Sequence, residues 1–268
     1  MLLRNAFFKS LRDQARPLIT WAVGVAFYVA LLRSIYPSIR HSAGQLQGYI
    51  HSLPSAVRAA FLGPGGDFSS PVGYVNVELL SWLAPIIFIA FAVSIAARAL
   101  AGEEENGTLS LLLAHTVGRR RLVLQKYAAM IVVVGILGVA FWLTLLVATR
   151  IAGTPIGAGK LAEALLRLTL LGLAIGSVTF AVGGATGRRQ TGIAAGAGAG
   201  LAMYLLNTLA EMNTSIRPLR YVSLFHYSGG AAPLGQGFYA VGVAVLLGTS
   251  AVLLVATAVL FERRDVRV

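Results

Sequence analysis

G-E-E-E-N-G-T-L-S-L-L-L-A-H-T-V-G-R-R-R-L-V-L-Q-K runs from Gly102 to Lys126 and lies between two apolar runs long enough to cross a bilayer. It holds a triple acid, a short amphipathic turn and a triple arginine. Leu109, Leu112 and Leu113 fall at i, i+3 and i+4, which gives a narrow apolar face from about Thr108 to His115. Two helical turns are too few to be stable alone in water, so that face must pack on something. Asn106 or Thr108 can cap its start, and Glu103, Glu104 and Glu105 would sit by the positive end of its dipole. Arg119–Arg121 follow at headgroup level. The pattern reads as a docking element that receives a push from a soluble partner.

Outward from this loop the chain is apolar. Hydrophobic residues make up 57% of 268 positions and charged residues 12%, with a mean hydropathy of +0.76. A soluble globule carries about twice that share of charge. Predominantly apolar runs of roughly 20 residues span the hydrocarbon core, and they recur at 17–32, 79–97, 122–149, 161–182, 191–210 and 238–261. The fold class is all-α: a polytopic membrane protein, one six-span domain over 1–268. Residues 98–121 form a cytoplasmic loop, and 33–78 and 211–237 are extracellular segments.

The net charge of +12 follows this topology rather than a nucleic-acid surface. With the amino terminus inside, Arg4, Lys9, Arg12, Arg16, Arg98, Arg119, Arg120, Arg121, Lys126, Arg188, Arg189, Arg263, Arg264 and Arg267 fall on inner segments. Arg33, Arg40, Arg58, Arg150, Lys160, Arg217 and Arg220 fall on outer ones, with Arg167 just inside the fourth span. The bias puts both termini in the cytoplasm, and no nucleic-acid partner is expected. The absence of cysteine excludes disulfides and thiolate chemistry.

Residues 1–16 are expected to hold an interfacial helix over 2–16. Leu3, Phe7, Leu11 and Ala15 share its apolar face, and Lys9, Arg12, Asp13 and Arg16 turn toward lipid headgroups. Pro17 would then start the first span, which is retained rather than cleaved as a signal peptide. Ser55–Leu62 could form a short outer helix, and Pro85 should kink the second span. Gly192, Gly196 and Gly200 form a stripe on the fifth span, with Gly198 alongside, where a neighbouring helix can approach closely. Tyr221, Phe225, Tyr227, Phe238 and Tyr239 read either as an aromatic belt or as a lid.

Several patterns imitate chemistry. G-T-P-I-G-A-G-K at Gly153–Lys160 looks like a phosphate loop, but Ala158 breaks the glycine spacing and Leu161 replaces the hydroxyl residue after the lysine. His41, His51, His115 and His226 lack metal-ligand spacing. No catalytic residue and no metal site is expected. The span middles carry no ionisable group outside the fourth, where Glu163 and Arg167 are spaced for a local ion pair. A carrier driven by protons or sodium normally keeps such groups at the midplane, so energy for transport must come from elsewhere.

At the loop the chain closely resembles the ABC type-2 permeases, the membrane subunits of ABC exporters of ABCG-like architecture. Their pattern E-x-G-T-L-x-x-L-L-x-x-P-V-S-R, followed by a lysine, is met by Glu105, Gly107, Thr108, Leu109, Leu112, Leu113, Val117, Arg119 and Lys126. Thr116 and Gly118 stand where the proline and serine are usual. The resemblance implies a second permease chain, identical or homologous, and a separate ABC ATPase that binds ATP and Mg2+; this chain needs no cofactor of its own. It further implies that the loop is the coupling helix and that spans two and five line the path. Trp82, Phe88, Met203, Tyr204 and Asn207 are then the path candidates. An amphipathic substrate (an antibiotic, lipid or peptide) moving out through a bacterial plasma membrane fits this reading. A non-transporting membrane anchor or sensor for an ATPase, and an ion-coupled carrier, are the rivals.

Overall fold

The structure is a computed structural model that describes residues 6–41, 48, 70–108, 118–153, 156–230, 233–235 and 239–263. Its regular elements are all helical among these residues. Helix α1 covers Ala6–His41, α2 Pro71–Val75, a π-turn Asn76–Leu80, α3 Leu83–Ala99 and α4 Ala101–Glu105. Then come α5 Arg119–Ile151, α6 Ala158–Thr186, α7 Arg189–Met212, a 3-10 segment Thr214–Val222, α8 Leu224–Ser228 and α9 Ala240–Arg263. Six helical stretches are long and apolar enough to cross a membrane. In lipid every backbone N–H and C=O must be satisfied within the chain, and a helix does so locally.

Helix α6 is the axis of the bundle. It packs on α3, α7, α9 and α5, while α1 lies outside, mainly along α5. Small residues set these distances. A Cβ added at Gly172 would lie 2.8 Å from the Phe88 Cβ of α3, and one at Gly176 would lie 2.9 Å from the Ala92 Cβ. On α7, Gly192, Gly196 and Gly200 are buried. A Cβ at Gly192 would come within 2.9 Å of the Thr179 carbonyl, and one at Gly196 would collide with the Thr179 hydroxyl. Without a hydrophobic drive between helices in lipid, such close approach is what holds them together. Gly198 meets nothing and faces out.

One expectation about helix boundaries needs correction, and the other takes a definite place. The first span does not begin anew at Pro17, because α1 runs unbroken from Ala6 to His41. Proline removes one N–H from an interior turn, and the residues on either side continue the helix; breaks of this kind are tolerated in membrane helices. In the second span the discontinuity falls before Pro85. Trp82 leaves helical geometry at φ −134°, and Pro85 sits in the first turn of α3. Pro85 has no N–H to offer the Ser81 carbonyl one turn back. On its donor side Ser81 closes the π-turn, its N–H and hydroxyl donating to the Asn76 carbonyl at 2.9 and 2.6 Å.

At one end of the bundle lie the start of α1, α4, the start of α5, the α6–α7 turn and the end of α9. At the other end the Arg33 guanidinium donates to the Ile151 carbonyl at 3.2 Å. Arg167, 1% exposed, donates to the Pro233 carbonyl at 2.7 Å. The Leu234 N–H donates to Asn76 Oδ1 at 3.2 Å. Glu163 and Arg167 make no contact ion pair among the described residues, yet the Glu163 charge still acts on the Arg167 guanidinium one turn away while that guanidinium turns into the protein to meet the Pro233 carbonyl. Residues 214–230 fold back over the bundle: Ser223 caps α8 and donates to the Met203 carbonyl at 2.7 Å. Gly229 and Gly230 make the following turn at φ 113° and 54°, values that favour glycine. The expected helix at Ser55–Leu62 lies outside the described residues.

Candidate functional site

Four helices meet around the acidic run. Glu103 is 9% exposed and accepts from Lys126 Nζ on α5 at 2.6 Å and from Lys9 Nζ on α1 at 3.0 Å. The Thr108 hydroxyl donates to the same carboxylate. Lys126 is itself 2% exposed. Burial pushes the Glu103 carboxyl up, but the Lys126 charge and the hydrogen bonds from Lys126, Thr108 and Lys9 outweigh it and hold it below its ordinary 4.5. Gly107 makes the bend before Thr108 at φ 68°, the left-handed region that a side chain disfavours.

Glu105 serves a different helix. Its Oε1 accepts from the Arg189 backbone N–H at 2.8 Å. Arg189 is the first residue of α7, whose own N-cap, Arg188, supplies no side-chain bond. A carboxylate from another loop thus satisfies an orphan donor at the positive end of the helix dipole. Glu104 is half-buried between them. On the far side, Arg120 Nε pairs with Glu262 Oε1 at 2.7 Å and Arg119 Nη1 donates to the Glu262 carbonyl at 3.3 Å. One short loop is thereby tied to α1, α5, α7 and, through Arg119 and Arg120, α9. Leu109, Leu112, Leu113 and Val117 lie outside the described residues.

A second feature opens between α3 and α7. An apolar groove of about 340 Å³ is lined by Trp82, Ile86, Ile89, Val93, Leu201 and Tyr204 among others, with Phe225 of α8 at its end. The Tyr204 and Phe225 rings meet edge-on at 5.5 Å. Trp82 and Tyr204 face the groove; Phe88 does not. It is fully buried, stacks on Phe141 at 5.8 Å and covers Gly172, because two residues along a helix from Ile86 point to the opposite face. Met203 packs on the core beside the groove. Asn207 is 6% exposed and donates to Glu211 Oε1 at 3.0 Å, away from the groove lining. Of the outer aromatics, Phe225 is buried and Tyr221 is exposed.

The family model described as ABC-2 family transporter protein matches residues 4–266. The chain belongs to the ABC-2 transporter family. Comparison with curated proteins gives no match. Membership makes this chain the membrane-spanning permease subunit of an ABC transporter, a kind of subunit that works with an ABC ATPase.

The geometry also shows what the residues alone concealed in this ABC-2 permease. Lys9 reads from its helical face as a headgroup contact, yet it turns into the protein to meet Glu103, 94 residues away. No local pattern encodes a pairing over that distance. Arg189 acts through its backbone and Glu262 through a loop contact, so neither carries a spacing signal. Lys126 was visible within the family pattern, and burial gives it a reason to be there: it is the counter-ion that Glu103 requires.

Proposed function

We propose that this permease is the membrane half of an ATP-driven exporter, and that residues 102–126 carry the stroke of its ATPase into the bundle. The observation that supports the reading is the Glu103 junction: one buried carboxylate joins α1 and α5 directly beside the bend that leads into Thr108. A displacement of the loop would therefore reach several spans at once. ATP and Mg2+ bind in the separate ATPase, and a second permease chain, identical or homologous, completes the path. Closure of the ATPases biases two packings of the spans that differ little in energy.

The groove between α3 and α7 suits an amphipathic substrate, since its walls are aliphatic and aromatic. Export from the cytoplasm places the Glu103 end inside and both chain ends with it, in agreement with the arginine bias. A bacterial plasma membrane is the setting this design fits.

The test is coupling. Leu112→Ala and Leu112→Asp remove the apolar anchor inferred from the loop pattern. Truncating a buried leucine costs about 2–5 kcal/mol in a core and less at a transient interface. In reconstituted vesicles with the ATPase, both variants should insert normally yet lose assembly or uncouple ATP turnover from transport. Parental assembly and transport by both would remove the loop from the coupling path.

A further inference from the structure

Tyr127 follows Lys126 on α5, about 100° further round the helix. Lys126 faces Glu103, whereas Tyr127 reaches between α6 and α9. Its hydroxyl lies 2.6 Å from Ser177 Oγ of α6 and 3.2 Å from the Ser250 carbonyl of α9, to which it can donate. Ser177 Oγ in turn lies 2.7 Å from the Leu173 carbonyl, as a donor. Tyr127, Ser177 and Ser250 are 3%, 1% and 4% exposed, so water does not stand in for any of them. Phe180 of α6 steadies the Tyr127 ring, edge-on at 5.4 Å.

These contacts share two protons, one on each hydroxyl. Two hydroxyl oxygens 2.6 Å apart need a proton between them, and two arrangements then remain. In the first, Ser177 donates to Tyr127 and Tyr127 donates to the Ser250 carbonyl, which chains α6, α5 and α9 together. In the second, Tyr127 donates to Ser177 and Ser177 donates to the Leu173 carbonyl, which unties α9 from Tyr127. Each arrangement uses both protons. The Leu173 and Ser250 carbonyls keep their helix-ladder N–H partners in both. A donor stranded inside a membrane bundle is costly, and this exchange strands none. Ser250 is also the middle of the stripe on which α9 rests, Gly242, Leu246, Ser250, Thr257 and Phe261, while Leu247, Val252 and Val255 face outward.

We infer that Tyr127 is a positioning residue for α9: it holds the helix through the Ser250 carbonyl or releases it by turning its proton to Ser177, with no net loss of hydrogen bonds. The exchange stands on these contacts alone; that release of α9 is a step of transport rests on the exporter reading above.

The distance between α5 and α9 reads the exchange on the permease without its ATPase, so the result does not turn on the coupling loop. The chain has no cysteine, so Leu124→Cys on α5 and Leu260→Cys on α9, both exposed, each accept one spin label. Pulsed electron–electron double resonance in lipid nanodiscs, diluted with unlabelled chain, reports the distance within one molecule. The parent should show a shorter and a longer distance. Ser177→Ala leaves Tyr127 with the Ser250 carbonyl alone, so release would strand its proton. Stranding one buried donor shifts such a ratio roughly tenfold or more, here toward the shorter distance. Tyr127→Phe removes the same number of bonds from both arrangements and should stay near the parent ratio. Added to Ser177→Ala, it should restore that ratio. A parental ratio in Ser177→Ala overturns the inference, and this arm decides even where Tyr127→Phe does not fold. A shift of Tyr127→Phe toward the longer distance makes Tyr127 a permanent tie, which also overturns it. So does a single distance common to the parent and the variants.

Discussion

Without its charge, Glu103 would leave Lys126 and Lys9 facing each other, the first almost fully buried. Removing one partner of a buried pair typically costs about 3–5 kcal/mol, because the other charge is left uncompensated. Glu103→Gln should therefore lower the thermal midpoint in detergent clearly, and Lys126→Met should lower it less, since it removes a buried charge along with its partner's bond. The pH dependence has a definite sign. The folded Glu103 carboxyl lies below its ordinary 4.5, so its stabilisation is present above that value and is lost as pH falls through the folded one. Acid melting of the parent should steepen below about pH 4.5, and Glu103→Gln should flatten that part of the profile. A profile unchanged by the substitution would mean that another carboxylate governs acid stability. Gly107→Ala tests the neighbouring bend: at φ 68° a Cβ costs about 1–2 kcal/mol, which should appear as a lower midpoint with the six spans intact.

Among the elements, α7 offers the cleanest comparison. Gly196 lies against Thr179 of α6, and Gly198, two residues on, faces open space. Overpacking a close interface typically costs about 1–3 kcal/mol. Gly196→Leu should thus broaden or shift size-exclusion and melting profiles, while Gly198→Leu should leave both near the parent. Equal tolerance of the two would mean that the stripe does not set the α6–α7 distance. The spans and this stripe were legible in the sequence, because hydropathy and four-residue spacing are local signals. The matching glycines of α6, Gly172 and Gly176, share that spacing, but what they receive is set by Phe88 and Ala92, which arrive from another helix. The break at Ser81–Trp82 falls in the turn before Pro85, because a proline disturbs the carbonyl one turn behind it. Glu103 and Glu105 were legible as a cluster, yet their division of labour was not, since one serves α1 and α5 and the other α7.

For the whole molecule, the described contacts place the start of α1, the α6–α7 turn and the end of α9 at one end, with the 3-10 segment at the other. The chain contains no cysteine, so single thiols can be introduced cleanly at Asn106 and Ser215, both exposed and at opposite ends. Asn106→Cys should react with a membrane-impermeant maleimide only in inverted vesicles, and Ser215→Cys only in intact cells. The reverse pattern would invert the proposed orientation. The purified chain free of any ATPase should turn over no ATP, because its phosphate-loop imitation lacks the required glycine spacing.

The ties of the acidic loop differ in how far water reaches them. The Arg120–Glu262 side chains are 68% and 36% exposed, whereas those of Lys126 and Glu103 are 3% and 11% exposed. Dissolved ions, whose screening length is about 8–10 Å at ordinary ionic strength, weaken the exposed pair as salt rises and act far less on the buried one. Adding salt is thus a way to slacken the α5–α9 ion pair while the Lys126–Glu103 pair between α4 and α5 stays taut, with the Lys9 tie from α1, 30% exposed, between the two.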